Sequence, residues 1–210
     1  SVAPYARTGE VHLRVTAKAS SRSDAEALIQ PVISQIRSLL GRHVYGLDEV
    51  TLESASLDFL RASGQSLAVA ESCTGGVLAA RLTAIPGASS VFKGGVVSYT
   101  NEAKIAMLGV SPETLVRESA YSESCAREMA LGVQARFGVD WSLSVTGIAG
   151  PDGGTPEKPV GLVYIGLASP TGRASVSEHR FRGQREDIRA RAAQMALLSL
   201  YFALQSEKGE

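Results

Sequence analysis

Hydrophobic and polar positions follow two rhythms along this chain, and the switches between them predict its elements. Over residues 10–17, Val11, Leu13 and Val15 alternate with polar residues, the pattern of a half-buried strand. The period then becomes helical. Leu28, Ile29, Val32, Ile33, Ile36, Leu39 and Leu40 form a broad apolar stripe that ends at Gly41. Ser23 and Glu26 have capping-box spacing at its start, and Pro31 should bend or weaken the helix locally. Leu52, Ala55, Phe59 and Leu60 predict a second helix. From residue 66 onward, apolar runs at 66–70, 91–99, 141–146, 160–168 and 174–181 predict strands. Helical spacing fills the gaps at 77–85, 102–108, 123–137 and 185–204. Alternation of this kind specifies an α/β fold, a three-layer α/β/α sandwich with a mostly parallel sheet. A small N-terminal α+β segment precedes it. The pattern changes near residue 46, so the expected domains are 1–46 and 47–210.

Composition narrows the function. With 44% hydrophobic and 20% charged residues, the chain is neither disordered nor membrane-spanning. Twenty-one basic residues balance 21 acidic ones, so the whole carries no electrostatic footprint for nucleic acid or anionic lipid, and a small ligand is expected. The stretch up to Tyr45 is mildly basic, but it lacks the Gly-x-x-Gly loop and paired aromatics of a nucleic-acid module. The only cysteines are Cys73 and Cys125, and Cys73 lies in a Gly-rich turn where a reduced thiol is expected. A cytoplasmic location follows. The chain opens on Ser1 with no signal-peptide pattern and no initiator Met, so it reads as a piece of a longer protein.

The most informative stretch is 66–76, where a buried-strand pattern runs into Ser72, Cys73, Thr74, Gly75 and Gly76 and then directly into a helix. Unpaired N–H groups at such a helix start, aided by the dipole, would stabilise an oxyanion or a phosphate. Ser and Thr before a helix are also ordinary caps, and paired glycines ordinarily just permit a tight turn. The glycine spacing matches neither a Walker loop nor a dinucleotide fingerprint. Two more loops follow predicted strands: Ser98–Lys104, with Tyr99 and Asn101, and Thr146–Gly154, with Gly147 and Gly150. Three polar or Gly-rich loops at the carboxyl ends of strands describe a pocket.

His12, His43 and His179 all lie outside these loops, which argues against a Ser-His-Asp triad and a His-ligated zinc, and there is no Cys-x-x-Cys. No metal and no cofactor are expected. A serine nucleophile then needs another base, Lys104 or Tyr99. A free lysine, with a pKa of about 10.4, needs that pKa lowered by desolvation or a neighbouring positive charge. A solvated Lys104 and a core-packed Tyr99 are the plainer alternatives, and a buried Cys73 supporting the turn is plainer than a thiol nucleophile. Arg180, Arg182, Arg185, Arg189 and Arg191 crowd a strand end and a helix start, where guanidinium groups could hold a phosphate or simply pair with Glu186 and Asp187.

Taken in order, Ala70-Glu-Ser-Cys-Thr-Gly-Gly76, Pro86-Gly87, Gly94-Gly-Val-Val-Ser-Tyr99, Lys104, Leu108-Gly-Val110, Val145-Thr-Gly-Ile-Ala-Gly-Pro-Asp-Gly-Gly154, Lys158-Pro-Val-Gly161 and Gly183-Gln-Arg185 carry a family resemblance. Residues 48–205 resemble the C-terminal domain of the CinA (competence-damage-inducible) family, bacterial nicotinamide mononucleotide deamidases. Residues 7–46 resemble the KH-like connecting domain of that architecture, in which a molybdopterin-cofactor-binding-like domain comes first. The resemblance implies hydrolysis of the carboxamide of nicotinamide mononucleotide, a step of pyridine nucleotide recycling. It implies Ser72 as nucleophile, Lys104 and Tyr99 managing its proton, and backbone N–H groups around Cys73 and Thr74 as the oxyanion hole. It further implies that Gly75, Gly76, Asn101, Thr146, Gly147, Gly150 and Arg185 contact the substrate. The family commonly has Gly-Ala-Val-Ser where this chain has Ser119-Ala-Tyr-Ser122. The expected partners are a nucleotide substrate and a second copy of the chain in a homodimer, with no membrane and no nucleic acid. A nucleotide-binding regulatory domain without turnover is the alternative.

Overall fold

The alternation at residues 10–17 is one half of a hairpin. In the computed structural model, which describes residues 1–207, β1 (Val2–Arg7) pairs antiparallel with β2 (Glu10–Val15), from Val2 opposite Val15 to Arg7 opposite Glu10. Helix α1 (Arg22–Leu40) is capped by Ser21, whose hydroxyl accepts the Asp24 N–H, and not by the expected Ser23–Glu26 box. These elements belong to a first unit, Ser1–Thr51; a second begins at Leu52. None of residues 1–51 is buried. Val11 and Leu13 are 59% and 38% exposed, so the expected half-buried strand lies open. A hairpin and one helix are too small to enclose a core.

The second unit runs α2 (Leu52–Ser63), β3 (Leu67–Glu71), α3 (Val77–Thr83), β4 (Phe92–Val97), α4 (Asn101–Leu108), α5 (Pro112–Arg117), α6 (Glu123–Phe137), β5 (Trp141–Gly147), β6 (Leu162–Ala168), β7 (Ala174–Arg180) and α7 (Arg185–Glu207). The sheet order is β4-β3-β5-β6-β7. Strand β3 is parallel to β4 and β5, while β6 runs antiparallel to β5 and β7. Four of the five strands therefore share a direction, and the expected alternation of strand and helix gives way after β5 to a meander. Helices α2, α3 and α7 pack together on one face, and α6, with α4 and α5 against it, covers the other.

Every residue of β3 and β5 is buried, as central strands covered on both faces require. On β5 the residues facing α6 are hydroxylic. Ser142 and Ser144 donate to the carbonyls of Ala130 and Ala126, one helical turn apart, each at 2.6 Å, and Thr146 donates to Ala120 just before the helix at 2.7 Å. Gly166 on β6 lets α6 this close: a Cβ there would lie 2.5 Å from Ser144 Oγ and 2.7 Å from the Ala126 oxygen. The β5–β6 loop, residues 148–161, is closed at its base, where the Ile148 N–H donates to Leu162 O and the Gly161 N–H to Ile148 O, each at 2.8 Å.

Candidate active site

Backbone hydrogen bonds continue the parallel ladder past the ends of the strands. The Ser72 N–H donates to Val145 O and the Ser98 N–H to Glu71 O, each at 2.9 Å. Ser72 is thereby held between the loops that follow β4 and β5, at the point where the connections after β3 and β5 leave to opposite sides of the sheet. The turn after it needs left-handed backbone at Gly75 and Gly76, with φ of +58° and +96°. Glu71, fully buried, turns its carboxylate onto the start of α3 and accepts the N–H groups of Gly76, Leu78 and Ala79 at 3.0, 3.0 and 2.8 Å. The helix start expected to receive an oxyanion or phosphate is thus filled by the protein's own carboxylate. The Cys73 and Thr74 N–H groups, in contrast, donate to no oxygen among the described residues.

Thr100 caps α4 by accepting the Ala103 N–H, and this sets Lys104 inward. Lys104 is only 1% exposed, and its Nζ donates to Ser72 Oγ and Ser98 O, both at 2.9 Å. Burial lowers its pKa from 10.5. The neighbouring thiols do not offset this near neutral pH: burial raises Cys73 to about 12 and Cys125 to about 11, so both stay protonated. Lys104 is therefore not the solvated side chain of the plainer alternative. Cys73 at that pKa is a poor nucleophile. The hydroxyls of Ser98 and Thr74 are buried without a hydrogen-bond partner among the described residues.

Above the pair lies a pocket of about 250 Å³. Ser72, Cys73, Tyr99, Asn101, Lys104, Gly147, Gly150 and Arg185 line it, whereas Thr74, Gly75, Gly76 and Thr146 do not. Thr146 is fully buried and pins Ala120 instead, so it supports the wall from behind. Tyr99 is 54% exposed rather than core-packed, and its hydroxyl accepts from Arg185 Nη2 at 2.7 Å. Arg185 Nη1 donates to Gly150 O at 2.7 Å, so this arginine ties two loops at the pocket mouth. The rest of the arginine cluster disperses: Arg180 pairs with Glu178, Arg191 reaches Arg182 O, and Arg189 grips Thr74 O.

The unusual Ser119–Ser122 segment forms a wall through Ala120 and Tyr121. Lys158 Nζ donates to Ser119 Oγ at 2.7 Å and to Tyr121 O at 3.0 Å, and also to Glu118 O. Asp152 also lines the pocket, and Glu71 and Arg189 support its floor, although none of the three is among the expected substrate contacts. A carboxylate just before a Gly-Gly helix start was the signal for Glu71, and the shared helix face of Arg185 and Arg189 was the signal for Arg189. Among the described residues no group of three His, Cys, Asp or Glu side chains is placed to hold a metal ion, and no helix is long and apolar enough to cross a membrane.

A three-layer α/β domain with a buried serine and lysine in contact at the carboxyl ends of its parallel strands defines the class of protein. The chain belongs to the CinA family: residues 49–204 match the CinA C-terminal domain and residues 1–46 the damage-inducible protein CinA KH domain. A CinA-like protein of Thermosynechococcus vestitus is 53% identical over 185 residues, covering 88% of this chain and 44% of that protein. One from Synechocystis is 50% identical over 208 residues, covering 98% and 50% respectively. The chain thus spans about half the length of the curated relatives it matches. A competence/damage inducible protein of Agrobacterium tumefaciens superposes with a TM-score of 0.70 at 40% identity, covering 76% of this chain and 99% of that one. A CinA superfamily protein of Klebsiella pneumoniae gives 0.71 at 37% identity, covering 74% and 96%.

Proposed function

We propose that the chain hydrolyses the carboxamide of nicotinamide mononucleotide to nicotinate mononucleotide and ammonia, with Ser72 as nucleophile and Lys104 as its base. The observation that carries this reading is the 2.9 Å contact between Lys104 Nζ and Ser72 Oγ in a nearly solvent-free setting. Burial favours the neutral amine, and a neutral Lys104 reverses that bond and accepts the serine proton. Its second bond, to Ser98 O, fixes the amine in place. Ser72 Oγ then attacks the amide carbon, and the oxygen that becomes negative is met by the Cys73 and Thr74 N–H groups. Lys104 returns the proton to the departing nitrogen, the C–N bond breaks, and ammonia leaves. Water attacks the acyl-serine with Lys104 again as base, releasing the acid. The resemblance to the deamidase family supplies the substrate. Arg185 at the mouth supports a phosphate-bearing one: its Nη1 exchanges the Gly150 carbonyl for a phosphate oxygen while Nη2 stays on the Tyr99 hydroxyl.

Tyr99 has a different role in this scheme from the one its position in the motif implies. Its hydroxyl is engaged by Arg185, so it orients the phosphate-binding guanidinium while Lys104 alone moves the proton. Ammonia release from nicotinamide mononucleotide tests the reaction and the substrate together. The full chain should turn over, Ser72→Ala should lose several orders of magnitude in kcat, and Cys73→Ala should stay within a few-fold of wild type. Tight binding of the nucleotide with no ammonia release would point to a regulatory domain without turnover. An active Ser72→Ala beside an inactive Cys73→Ala would move the nucleophile to the thiol.

A further inference from the structure

Arg189 lies one helical turn after Arg185 on α7, yet it does not line the pocket. Its Nε and Nη2 both donate to the carbonyl oxygen of Thr74, at 3.1 and 2.8 Å, and that oxygen also accepts the Val77 N–H at 3.3 Å. No carboxylate pairs with Arg189 among the described residues. The guanidinium rests against the turn itself, since a Cβ on Gly75 would stand 3.4 Å from Nη2. From the other side Glu71 holds Gly76, Leu78 and Ala79. Between these two clamps lies Ser72-Cys73-Thr74, with its two N–H groups free of oxygen acceptors.

The Thr74 carbonyl belongs to the peptide that joins Thr74 to Gly75, a glycine at φ +58° whose N–H donates to Ser72 O at 3.1 Å, so this peptide closes the turn that carries Ser72 and Cys73. A planar guanidinium with two prongs on its oxygen adds a side-chain restraint to those backbone bonds. Fixing this peptide fixes the residue before it, and so the direction of the Cys73 and Thr74 N–H groups. We propose that Arg189 is a positioning residue for oxyanion stabilisation. It acts through the Thr74 carbonyl to keep those N–H groups aimed at the negative oxygen of the tetrahedral intermediate. The inference rests on the serine-hydrolase reading above.

Oxyanion stabilisation belongs to the transition state, so its loss should fall on kcat and spare ground-state binding. Removing an oxyanion donor outright costs about 10²–10³-fold. Misaligning two that remain should cost less, and we expect a 10–100-fold drop in kcat for Arg189→Gln with KM within about threefold of wild type. The discriminating probe is the analogue of nicotinamide mononucleotide with an aldehyde in place of the carboxamide. Ser72 Oγ adds to its carbonyl carbon, the serine proton passes to Lys104, and the resulting hemiacetal oxyanion occupies the intermediate's position. Aldehyde inhibition should weaken in Arg189→Gln by the same factor as kcat, while binding of the product nicotinate mononucleotide stays unchanged. Arg189→Lys, which keeps the charge but loses the fork, should recover only part of either loss, and it replaces the Gln variant should that one fail to fold. Unchanged aldehyde binding in the variants, or equal weakening of aldehyde and product, would overturn the role of Arg189. Absence of both turnover and adduct in the wild type would instead overturn the underlying reaction.

Discussion

In the proposed reaction Lys104 serves as the base because the fold denies it water. It must lose its proton to act, so kcat should rise with pH to a plateau, with its inflection below the 10.5 of a free lysine. The same shift leaves a mark on stability. Between the lowered folded pKa and 10.5, the unfolded chain holds a proton on this lysine that the folded chain has released, so folding becomes more favourable as pH rises through that window. Below the folded pKa the cost of burying the ammonium is fully present. Denaturant titrations of wild type and Lys104→Met at several pH values should therefore diverge with this sign, the wild type gaining on the variant toward alkaline pH. Arg185 makes a separate prediction. A charge-assisted bond to phosphate is worth roughly 1.5–3 kcal/mol, so Arg185→Ala should shrink the preference for nicotinamide mononucleotide over its riboside by about tenfold to a hundredfold. An unchanged ratio would clear Arg185 of phosphate binding. Ser72 and Lys104 were legible as candidates because a hydroxyl at a strand-to-helix turn and a lysine after a strand are visible in the chain. Their contact was not, because residues 32 positions apart meet only through the β3–β4 register.

At the level of elements, the strands and helices after residue 66 followed from their periods because nearly all are buried on at least one face. Strand β1 and helix α5 escaped for opposite reasons. Val2–Arg7 carries no clean alternation because neither of its faces is buried, and Pro112–Arg117 is too short for a helical period to register, with Val116 left 86% exposed. The direction of β6 was also hidden, since two antiparallel neighbours have the same apolar pattern as two parallel ones. The hydroxyls of β5 show what the sheet needs from its helix. Ser142 and Ser144 meet backbone carbonyls of α6, so the spacing between layers is set by hydrogen bonds as well as by side-chain volume. Gly166→Ala intrudes on that seam at 2.5 and 2.7 Å and should lower stability by about 1–3 kcal/mol. Because Ala126, Ala130, Ser142, Ser144 and Gly166 do not line the pocket, kcat of the folded variant should change little. A urea melt combined with turnover of the same sample checks both parts, and unchanged stability would mean that α6 is free to shift.

Across the whole molecule, the two units are unequal in what they bury. The second holds the core and every residue that lines the pocket, whereas the first has no buried residue. We propose the boundary near residue 46, and a fragment of residues 47–210 should fold cooperatively and keep the turnover of the full chain. An insoluble or inactive fragment would show that the first unit completes the catalytic one. The reversal of β6 has a consequence of its own. Because this strand runs back, the chain leaves and re-enters the sheet at the pocket end, and the stem of the loop between is closed by the paired Ile148 and Gly161–Leu162 backbone groups. A loop with a closed stem tolerates changes of length cheaply, at roughly 0.6 kcal/mol for each doubling. Residues 149–160 thus form an exchangeable cassette above a fixed Ser72 and Lys104, which lie on the turn after β3 and on α4. Grafting this stretch between relatives offers a route to new ligand preferences that leaves the chemistry and the register of the sheet untouched.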